Sequence, residues 1–316
     1  MERVRSIIAI AVCAILLALL TGACTGGGSG NGGSGASAEA SKPEEKTVVD
    51  NAGHQVAVPV RPQRVIAPYL EDPLVVLGVK PVAQVLYGNV EQNYLKDSLP
   101  EVEIIDTSDV GLPLERLLNL SPDLLILGKG MAAEEGVYEQ YAKIAPSYVV
   151  DNIDKSWRET LLDLAGLLGK EQTAEEQLAE YDRKIQQTRA HVQRKIGNGT
   201  AAIVVLTDKE FYTMGHVQGG ALLFDELGVR PHPLTPEQEE WNTLSLEKLS
   251  ELDADYIFVI KTERYQVSEL ENNSLWKGLP AVRAGRVHDV ESGIWQYSGL
   301  ISNERKLADI MQAIPE

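Results

Sequence analysis

The stretch TAEEQLAEYDRKIQQTRAHVQRKI, residues 173–196, carries the longest helical pattern in the chain. Its apolar positions are spaced by 4, 3, 4, 7 and 4 residues, which places them on one helix face. Thr173 followed by Glu176 predicts a capping box at the start, and Gly197 predicts the end. A helix over residues 173–196 would be about 36 Å long, which is enough to connect two lobes.

Short apolar runs alternate with helical segments on both sides of this helix. Runs rich in Val, Ile and Leu predict strands at 64–67, 82–85, 103–106, 124–127, 148–150, 202–206, 256–260 and 287–290. Helices are predicted at 72–77, 114–120, 134–144, 220–227, 245–252 and 303–313. This alternation predicts largely parallel α/β sheets in an N-terminal lobe (47–172) and a C-terminal lobe (197–316), joined by the helix over 173–196.

The first 46 residues are predicted to lie outside the fold. Arg3 and Arg5 precede an uncharged apolar run at 6–20, a secretory signal pattern that is shorter than the roughly 20 residues of a membrane span. The sequence LLTGAC, ending at Cys24, resembles the bacterial lipobox, in which the Cys becomes lipidated. We expect a lipoprotein signal peptide over 1–23 and a flexible Gly/Ser-rich tether over 24–46. An ordinary signal peptide with an incidental Cys is the alternative.

Charge and cysteine content exclude several classes of protein. The 29 Lys and Arg stand against 46 Asp and Glu, a net charge of −17, which argues against a general nucleic-acid-binding surface. A hydrophobic content of 44% argues against a largely disordered chain. The two cysteines, Cys13 and Cys24, both lie outside the predicted fold, so no disulfide or thiolate metal site is expected in the mature protein.

Several segments, taken in order, resemble the iron-siderophore and cobalamin substrate-binding proteins of ABC importers. They are DNAGHQVAVP (50–59) with RPQRVI (61–66), LVVLGVKPV (74–82), LERLLNLSPDLLI (114–126), LEKLSELDADYI (246–257), and LWKGLPAV (275–282) with GRV (285–287). The resemblance extends over roughly residues 47–314 and rests on the order and spacing of these segments together.

The resemblance implies a periplasmic-binding-protein-like α/β fold with two lobes, each a helix-covered, mostly parallel sheet, joined by one long α-helix. Its ligand would be a Fe(III)-siderophore, held between the lobes outside the carboxyl ends of the strands. The protein would deliver this ligand to a permease dimer with its ATPase. A lipid-anchored monomer on the extracellular face of a Gram-positive-type cell membrane is expected, with no catalytic activity and no cofactor.

Two glutamates are predicted to dock the permease. Glu115 and Glu247 each begin a helix in a Leu-Glu-basic-Leu context, one per lobe. In the resembling family an acidic residue at each of these positions meets permease arginines, and an Arg–carboxylate pair fixes orientation through two parallel hydrogen bonds. The alternative is that both are first-turn glutamates favoured by the helix dipole.

Residues on loops after strands are predicted to contact the ligand. Trp295 matches an aromatic residue that lines the cleft in hydroxamate-binding relatives, and Tyr297 lies in the same loop. Lys129 and Arg264 follow predicted strands and could neutralise oxygens of a ferric chelate, although each could equally be a solvated surface charge. The further candidates are Tyr212, His216, Gln218, Trp241 and Tyr69, the last two being either ligand contacts or packing residues.

The chelate type stays open at this level, as do other functions. Some hydroxamate-binding members have Trp and Arg where His216 and Gln218 stand here. Cobalamin, haem or a bare divalent metal are alternative ligands, although the five His are scattered at 54, 191, 216, 232 and 288. A G-x-G-x-x-A pattern at 128–133, with Asp151 about 20 residues on, raises an NAD-dependent enzyme. A structural lipoprotein is the remaining alternative.

Overall fold

The computed structural model describes residues 44–86, 92–107, 112–132, 136–151, 156–207, 210–261 and 272–315. Cys24 and Arg264 lie outside the described residues. The described chain begins with a hairpin of β1 (Glu45–Val49) and β2 (Gln55–Pro59), which pair antiparallel with Val48 opposite Val56. The predicted tether therefore overlaps the first residues of β1.

The rest of the N-terminal lobe alternates strands and helices. Its strands are β3 (Val65–Ile66), β4 (Ala83–Leu86), β5 (Glu103–Asp106), β6 (Leu124–Gly128) and β7 (Ser147–Val150). Its helices are α1 (Glu71–Val76), α2 (Leu114–Leu120), α3 (Val137–Ala142) and α4 (Trp157–Leu168), with 3-10 turns at Asn93–Leu95 and Lys129–Ala132. The pairs β3–β6, β6–β7 and β4–β5 are all parallel. Every residue of β6 is buried, as expected of a strand covered on both faces.

The connecting helix α5 extends over Glu171–Ile196, or 26 residues, which corresponds to about 39 Å. It begins two residues before the predicted start, so Thr173 lies inside its first turn and is not the N-cap. Gly197 ends it with a φ of 59°, a backbone conformation that glycine adopts without strain. The predicted apolar face is buried at Ala174, Tyr181, Ile185 and Val192.

The C-terminal lobe contains a mixed sheet with the strand order β11-β9-β8-β12-β13, and β10 pairs with β8. The strands are β8 (Thr200–Leu206), β9 (Phe211–Met214), β10 (Arg230–Pro231), β11 (Trp241–Leu244), β12 (Tyr256–Lys261) and β13 (Val287–Val290). Strands β8, β12 and β13 are parallel, whereas β9 and β11 run antiparallel to their neighbours and were not among the predicted strands.

The helices of this lobe are mostly short, apart from the C-terminal one. They are α6 (Gln218–Gly220), which continues into a π-helical segment (Ala221–Glu226), α7 (Leu246–Leu249), α8 (Ser274–Gly278), α9 (Pro280–Arg283), α10 (Ser292–Trp295) and α11 (Leu300–Ala313). Among the described residues, no helix combines the length and apolar character needed to cross a bilayer.

One hydrophobic cluster extends through both lobes. It includes Leu74 on α1, Leu164 on α4, Tyr181 on α5, Phe258 on β12 and Ile310 on α11. Helix α11 packs against both α5 and α1. The two lobes are therefore connected by shared core packing as well as by the long helix.

Candidate ligand site at the junction of the lobes

Three segments that follow the carboxyl ends of parallel strands meet where the lobes join. Tyr69 follows β3, Trp157 follows β7 at the start of α4, and Ser298 follows β13 after α10. Together they border a small recess, which we name the junction pocket. Its lining residues are Tyr69, Leu70, Pro73, Trp157, Thr160, Leu161, Ser298, Gly299 and Leu300. Ligands of open α/β sheets bind at this end of the strands, which makes the recess the candidate ligand site.

Tyr69 is held in place by backbone and side chain together. Its φ of 62° lies in the left-handed region, which is sparsely populated for bulky residues and occurs preferentially at functional sites. The Tyr69 and Thr107 hydroxyl oxygens are 2.6 Å apart, and the Thr107 hydroxyl donates to the carbonyl of Leu86 at 3.0 Å. The phenol of Tyr69 is therefore the donor to Thr107, and its ring is fixed at the pocket wall.

Trp157 forms the opposite aromatic wall and was not among the predicted ligand residues. Its ring meets Tyr181 edge to face, with centroids 5.1 Å apart, and the Arg158 guanidinium lies 4.8 Å from its centroid. Arg158 is fixed in turn by ion pairs to Asp182 (2.7 Å) and Glu226 (3.3 Å). The indole is half-buried and is held in position by these contacts within the protein.

Tyr297 lies beside the pocket and contacts both lobes. Its side chain interacts with Gln92 of the N-terminal lobe and lies near Glu71 and Tyr69. Burial is the main cause that raises the pKa of Tyr297 to about 12, and the nearby carboxyl of Glu71 adds to the shift. Its phenol is thus protonated at neutral pH and acts as a neutral hydrogen-bonding group at the junction.

Behind the pocket, a buried polar contact joins α1 to the N-terminus of α11. The carboxylate of Asp72 accepts hydrogen bonds from the backbone N–H groups of Ile301 (3.2 Å) and Ser302 (2.9 Å). It thereby caps the start of a helix that lies more than 200 residues further along the chain, where a negative charge also interacts favourably with the helix dipole. This bond holds the C-terminal helix against the N-terminal lobe.

Two further buried titratable groups, Glu71 and Lys306, lie at this contact, which we name the seam and define as Glu71, Asp72, Lys306 and residues 297–302. The ammonium of Lys306 donates to the carbonyl of Tyr297 and to Asn303 Oδ1 (2.8 Å). Glu71 accepts from the backbone N–H of Val85 at 2.7 Å. Burial lowers the pKa of Lys306 to about 7 and raises the pKa of Glu71 to about 7. It also raises the pKa of Asp72, which the bonds from α11 partly offset.

Trp295 is a correction to the sequence analysis, because it lies in the core and not on a cleft surface. Its side chain is 0% exposed, stacks on Phe258 with centroids 5.0 Å apart, and donates from Nε1 to Asp309 Oδ2 at 2.8 Å. The backbone of Gly219 approaches so closely that a Cβ there would lie 2.6 Å from the indole. The flanking Gly and Ser residues indicated a loop, but α10 turns the indole inward.

The predicted candidates in the C-terminal lobe lie on β9, β11 and the turn after β9. Tyr212 and Trp241 are on these neighbouring strands, and the Tyr212 hydroxyl donates to the carboxylate of Glu210. His216 Nδ1 lies 2.6 Å from Asp225 Oδ1, and its ring packs against Phe224. None of the three lines the junction pocket, so their contact with ligand stays a prediction.

Gln218 is the C-terminal-lobe candidate with the clearest structural signal. Its φ of 49° lies in the left-handed region, as that of Tyr69 does in the other lobe. Its side-chain Oε1 is buried and has no hydrogen-bond partner among the described residues. An unusual backbone conformation together with an unsatisfied buried acceptor is typical of a functional position.

Of the two predicted cations, Lys129 is neutralised within its own lobe. Its ammonium lies 2.7 Å from Asp151 Oδ2. Lys129 opens a 3-10 turn directly after β6, where a dinucleotide site would have the N-terminus of an α-helix to receive the pyrophosphate. Among the described residues, no group of three His, Cys, Asp or Glu side chains is placed to hold a metal ion.

Glu115 and Glu247 occupy matching positions in the two lobes, and both are exposed. Each is the second residue of its helix, and the leucine two positions later, Leu117 or Leu249, is buried and anchors the helix. Hydrogen bonds from the helix start and from Ser245 lower the pKa of Glu247. This carboxylate is therefore ionised and directed to solvent.

Sequence reasoning missed Trp157, Ser298 and the seam. Trp157 follows an apolar run by seven residues, so the rule that placed Tyr69 at a strand end could have found it. The acidic pair Glu71-Asp72, a few residues after β3 and directly before an apolar run, was a similar signal. For Lys306 there was no such sequence signal, because a lysine on an amphipathic helix is ordinarily solvated.

The two lobes, the long connecting helix and the recess at strand ends together define a substrate-binding protein of the periplasmic type. The chain belongs to the periplasmic binding protein family, whose model matches residues 70–292. It is 28% identical over 300 residues to the probable siderophore-binding lipoprotein YfiY of Bacillus subtilis, covering 86% of this chain and 88% of YfiY. It is also 28% identical over 290 residues to the iron(3+)-hydroxamate-binding protein FhuD of Bacillus subtilis, covering 88% of this chain and 89% of FhuD.

Solved structures agree with the fold. A FhuD fold-family periplasmic binding protein component of a Fep/Fec-like ferrichrome ABC transporter from Bacillus subtilis superimposes with a TM-score of 0.73 at 26% identity, covering 84% of this chain and 98% of that chain. Staphylococcus aureus SirA complexed with staphyloferrin B superimposes with a TM-score of 0.69 at 26% identity, covering 85% of this chain and 98% of SirA. The expected fold class, two α/β lobes joined by a long helix, is confirmed.

Proposed function

We propose that this chain is an extracellular lipoprotein that captures a ferric siderophore at the junction of its lobes and delivers it to the permease of an ABC-type iron importer. The observation that carries the proposal is the junction pocket, to which both lobes contribute residues that follow strand ends. A ligand that touches both lobes stabilises one arrangement of them, and a permease can recognise that arrangement. The similarity to siderophore-binding and hydroxamate-binding proteins supports iron chelates as the cargo.

Fluorescence titration tests the capture step. Because Trp157 lines the pocket, a bound ferric chelate is expected to quench tryptophan emission. The panel contains a ferric hydroxamate, a ferric catecholate, ferric citrate, cobalamin and haem, with NAD and free Zn²⁺ as probes for the rival functions. At least one ferric chelate should bind with micromolar or tighter affinity, about 8 kcal/mol or more. The iron-free chelators control for quenching by the chelator alone. If none of the ferric chelates changes the fluorescence, the result contradicts the proposal.

We propose further that Glu115 and Glu247 meet arginines of the permease, one from each lobe. Their matched positions and exposure support this role, since only an accessible carboxylate can form the two parallel bonds of an Arg pair. The variant Glu115→Ala with Glu247→Ala should lower cellular uptake of the ferric chelate at least tenfold and leave its affinity for the isolated protein unchanged.

The matched control for docking removes two other exposed glutamates, Glu139 and Glu239, one from each lobe. This control changes the net charge equally, so it should leave uptake intact if position and not total charge matters. Loss of chelate affinity in the Glu115/Glu247 variant would place these residues at the ligand instead.

Cys24 is the proposed lipidation site, which would anchor the protein on the outer face of the cell membrane through residues 24–46. The lipobox-like sequence before Cys24 supports this location. Cys24→Ala should abolish incorporation of labelled palmitate and release the protein into the medium, whereas Cys13→Ala should do neither. Retention and labelling of the Cys24 variant would leave an ordinary signal peptide as the better interpretation. No catalytic step is proposed, and we expect a monomer.

A further inference from the structure

The two proposed docking glutamates differ in the side chain that lies beside them. On α2, Leu118 follows Glu115 by three positions, and its side chain is 56% exposed. Residues three apart are neighbours on one helix face, so Leu118 lies next to Glu115 at the surface. The corresponding position after Glu247 is the exposed Ser250, whose hydroxyl donates to the carbonyl of Glu247 at 2.6 Å. One docking glutamate therefore has an apolar neighbour and the other a polar one.

Leu118 is not needed to hold α2 on the protein. The preceding residue, Leu117, is 0% exposed and packs in a hydrophobic cluster of the N-terminal lobe. Single exposed leucines are common on protein surfaces, so exposure alone indicates nothing. The position of Leu118 is the informative part, because it forms one surface with an exposed carboxylate.

The cations next to the docking glutamates are already engaged. The guanidinium of Arg116 pairs with Glu103 of β5, and the ammonium of Lys248 pairs with Glu251. Among the ion pairs between described residues, none includes a docking glutamate. Each docking carboxylate therefore keeps its negative charge for a cation that comes from a partner.

The two carboxylates also differ in what surrounds them at the start of their helices. The carboxylate of Glu247 accepts hydrogen bonds from its own backbone N–H and from Ser245. Helix α2 begins after Pro113, which provides no side-chain cap. An arginine that approaches Glu247 therefore shares this carboxylate with bonds from its own helix, which makes this contact the weaker candidate of the two.

Building on the docking role proposed above, we infer that Leu118 contacts the permease and that the face formed by Glu115 and Leu118 is the stronger of the two docking contacts. This face fits a permease surface on which an arginine lies next to an apolar side chain. Leu118 excludes water around the arginine–carboxylate pair, and charges attract each other more strongly where water is excluded. The contact at Glu247 orients the second lobe.

The test measures cellular uptake of radioactive iron, supplied as the ferric chelate that binds most tightly in the fluorescence titration. Leu118→Ala should lower uptake by roughly three- to tenfold, as loss of an apolar contact at an interface does, and leave chelate affinity unchanged. Leu118→Met, which keeps an apolar side chain, should recover most of the uptake. Glu115→Ala alone should lower uptake by about threefold more than Glu247→Ala alone.

Leu162→Ala is the matched control, because Leu162 is an exposed leucine (45%) on α4 of the same lobe. It should take up iron as the wild type does, and urea denaturation should show that all variants are as stable as the wild type. The inference is overturned if Leu118→Ala behaves as this control does, if its uptake falls only together with chelate affinity or stability, or if Glu247→Ala costs as much uptake as Glu115→Ala. If the variant that lacks both glutamates keeps full uptake, the docking role itself fails.

Discussion

The seam and the junction pocket lie on opposite sides of one short segment, residues 298–300, and have opposite chemistry. On the seam side, the start of α11 is bonded to Asp72, and the preceding residue, Tyr297, accepts a hydrogen bond from Lys306. On the pocket side, the same segment presents Ser298, Gly299 and Leu300 to a recess without charged lining residues. Gly299 belongs to both, because its backbone touches the Asp72 carboxylate and also lines the recess.

The difference shows that two neighbouring surfaces of this molecule have different roles: the seam positions α11, and the pocket is the candidate ligand site. Buried charges with fixed hydrogen bonds set the position of α11 against α1, which a purely apolar contact would specify less sharply. The described residues that line the pocket, in contrast, are uncharged. A change in the seam should therefore alter stability first and affinity second, whereas a change in the pocket should alter both stability and affinity.

The largest effect is expected from Asp72→Ala. This change leaves the backbone N–H groups of Ile301 and Ser302 without their acceptor and removes the carboxylate that favours the charged form of Lys306, so unfolding should cost about 3–5 kcal/mol less than in the wild type. Urea denaturation measures the difference. Chelate affinity should also fall, because Gly299 and Leu300 are held by the seam. Asp97→Ala, at an exposed aspartate of the same lobe, should change stability by less than about 0.5 kcal/mol. A similarly small change for Asp72→Ala would show that the seam does not hold the lobes.

The next effect is a pH dependence that originates at Glu71. Burial raises its pKa from 4.5 to about 7. Its contribution to stability is therefore fully present below about pH 4.5 and is lost as the pH rises to about 7. Compared with Glu71→Gln, which keeps an acceptor for Val85, the wild type should lose about 3 kcal/mol of stability across this window.

Glu247→Gln is a control for that measurement, because the stability that Glu247 contributes should change with pH in the opposite direction. The pKa of the Glu247 carboxyl is lowered, so its contribution is present above the ordinary value of 4.5 and is lost as the pH falls below it. Lys306, with its pKa lowered from 10.5 to about 7, makes a contribution that is fully present above about pH 10.5 and is lost as the pH falls to about 7, and Lys306→Met should remove this dependence. If the unfolding free energies of the wild type and of Glu71→Gln change in parallel between pH 4.5 and 7, Glu71 is excluded as the source of the pH dependence.

Local periodicity was enough to predict the elements that form from consecutive residues. The α5 face, with Tyr181 and Ile185 buried, and the apolar run of β6 follow directly from spacings of 3.6 residues and from continuous hydrophobicity. Strands β9 and β11 were not predicted because they are stabilised by pairing across the sheet, with Trp241 opposite Met214. That pairing depends on a register which no single segment specifies.

The candidate site was predictable to a smaller extent, since its geometry depends on residues far apart in sequence. Tyr69 could be placed because it follows a strand. Trp295 could not, because its burial depends on Phe258 and Asp309, which approach only in the folded chain. The seam was equally inaccessible, since Asp72 bonds the backbone of residues 229 and 230 positions away.

The smallest effect is expected from Gly299→Ala, at the residue that seam and pocket share. This variant tests whether stability and ligand affinity change independently of each other. A Cβ at this position would overlap the carboxylate of Asp72, although the extended backbone itself would accept alanine. Gly299→Ala must push α11 away from α1 or move Asp72, which should lower the unfolding free energy by about 1–3 kcal/mol. Gly130→Ala, with nothing within 4 Å of the added carbon, is the control and should be neutral. If the Gly299 variant is destabilised as expected but binds the ferric chelate of the titration with unchanged affinity, the pocket wall tolerates movement of the seam, and the two surfaces work independently. A loss of affinity larger than the loss of stability would show that Asp72 sets the shape of the recess through Gly299.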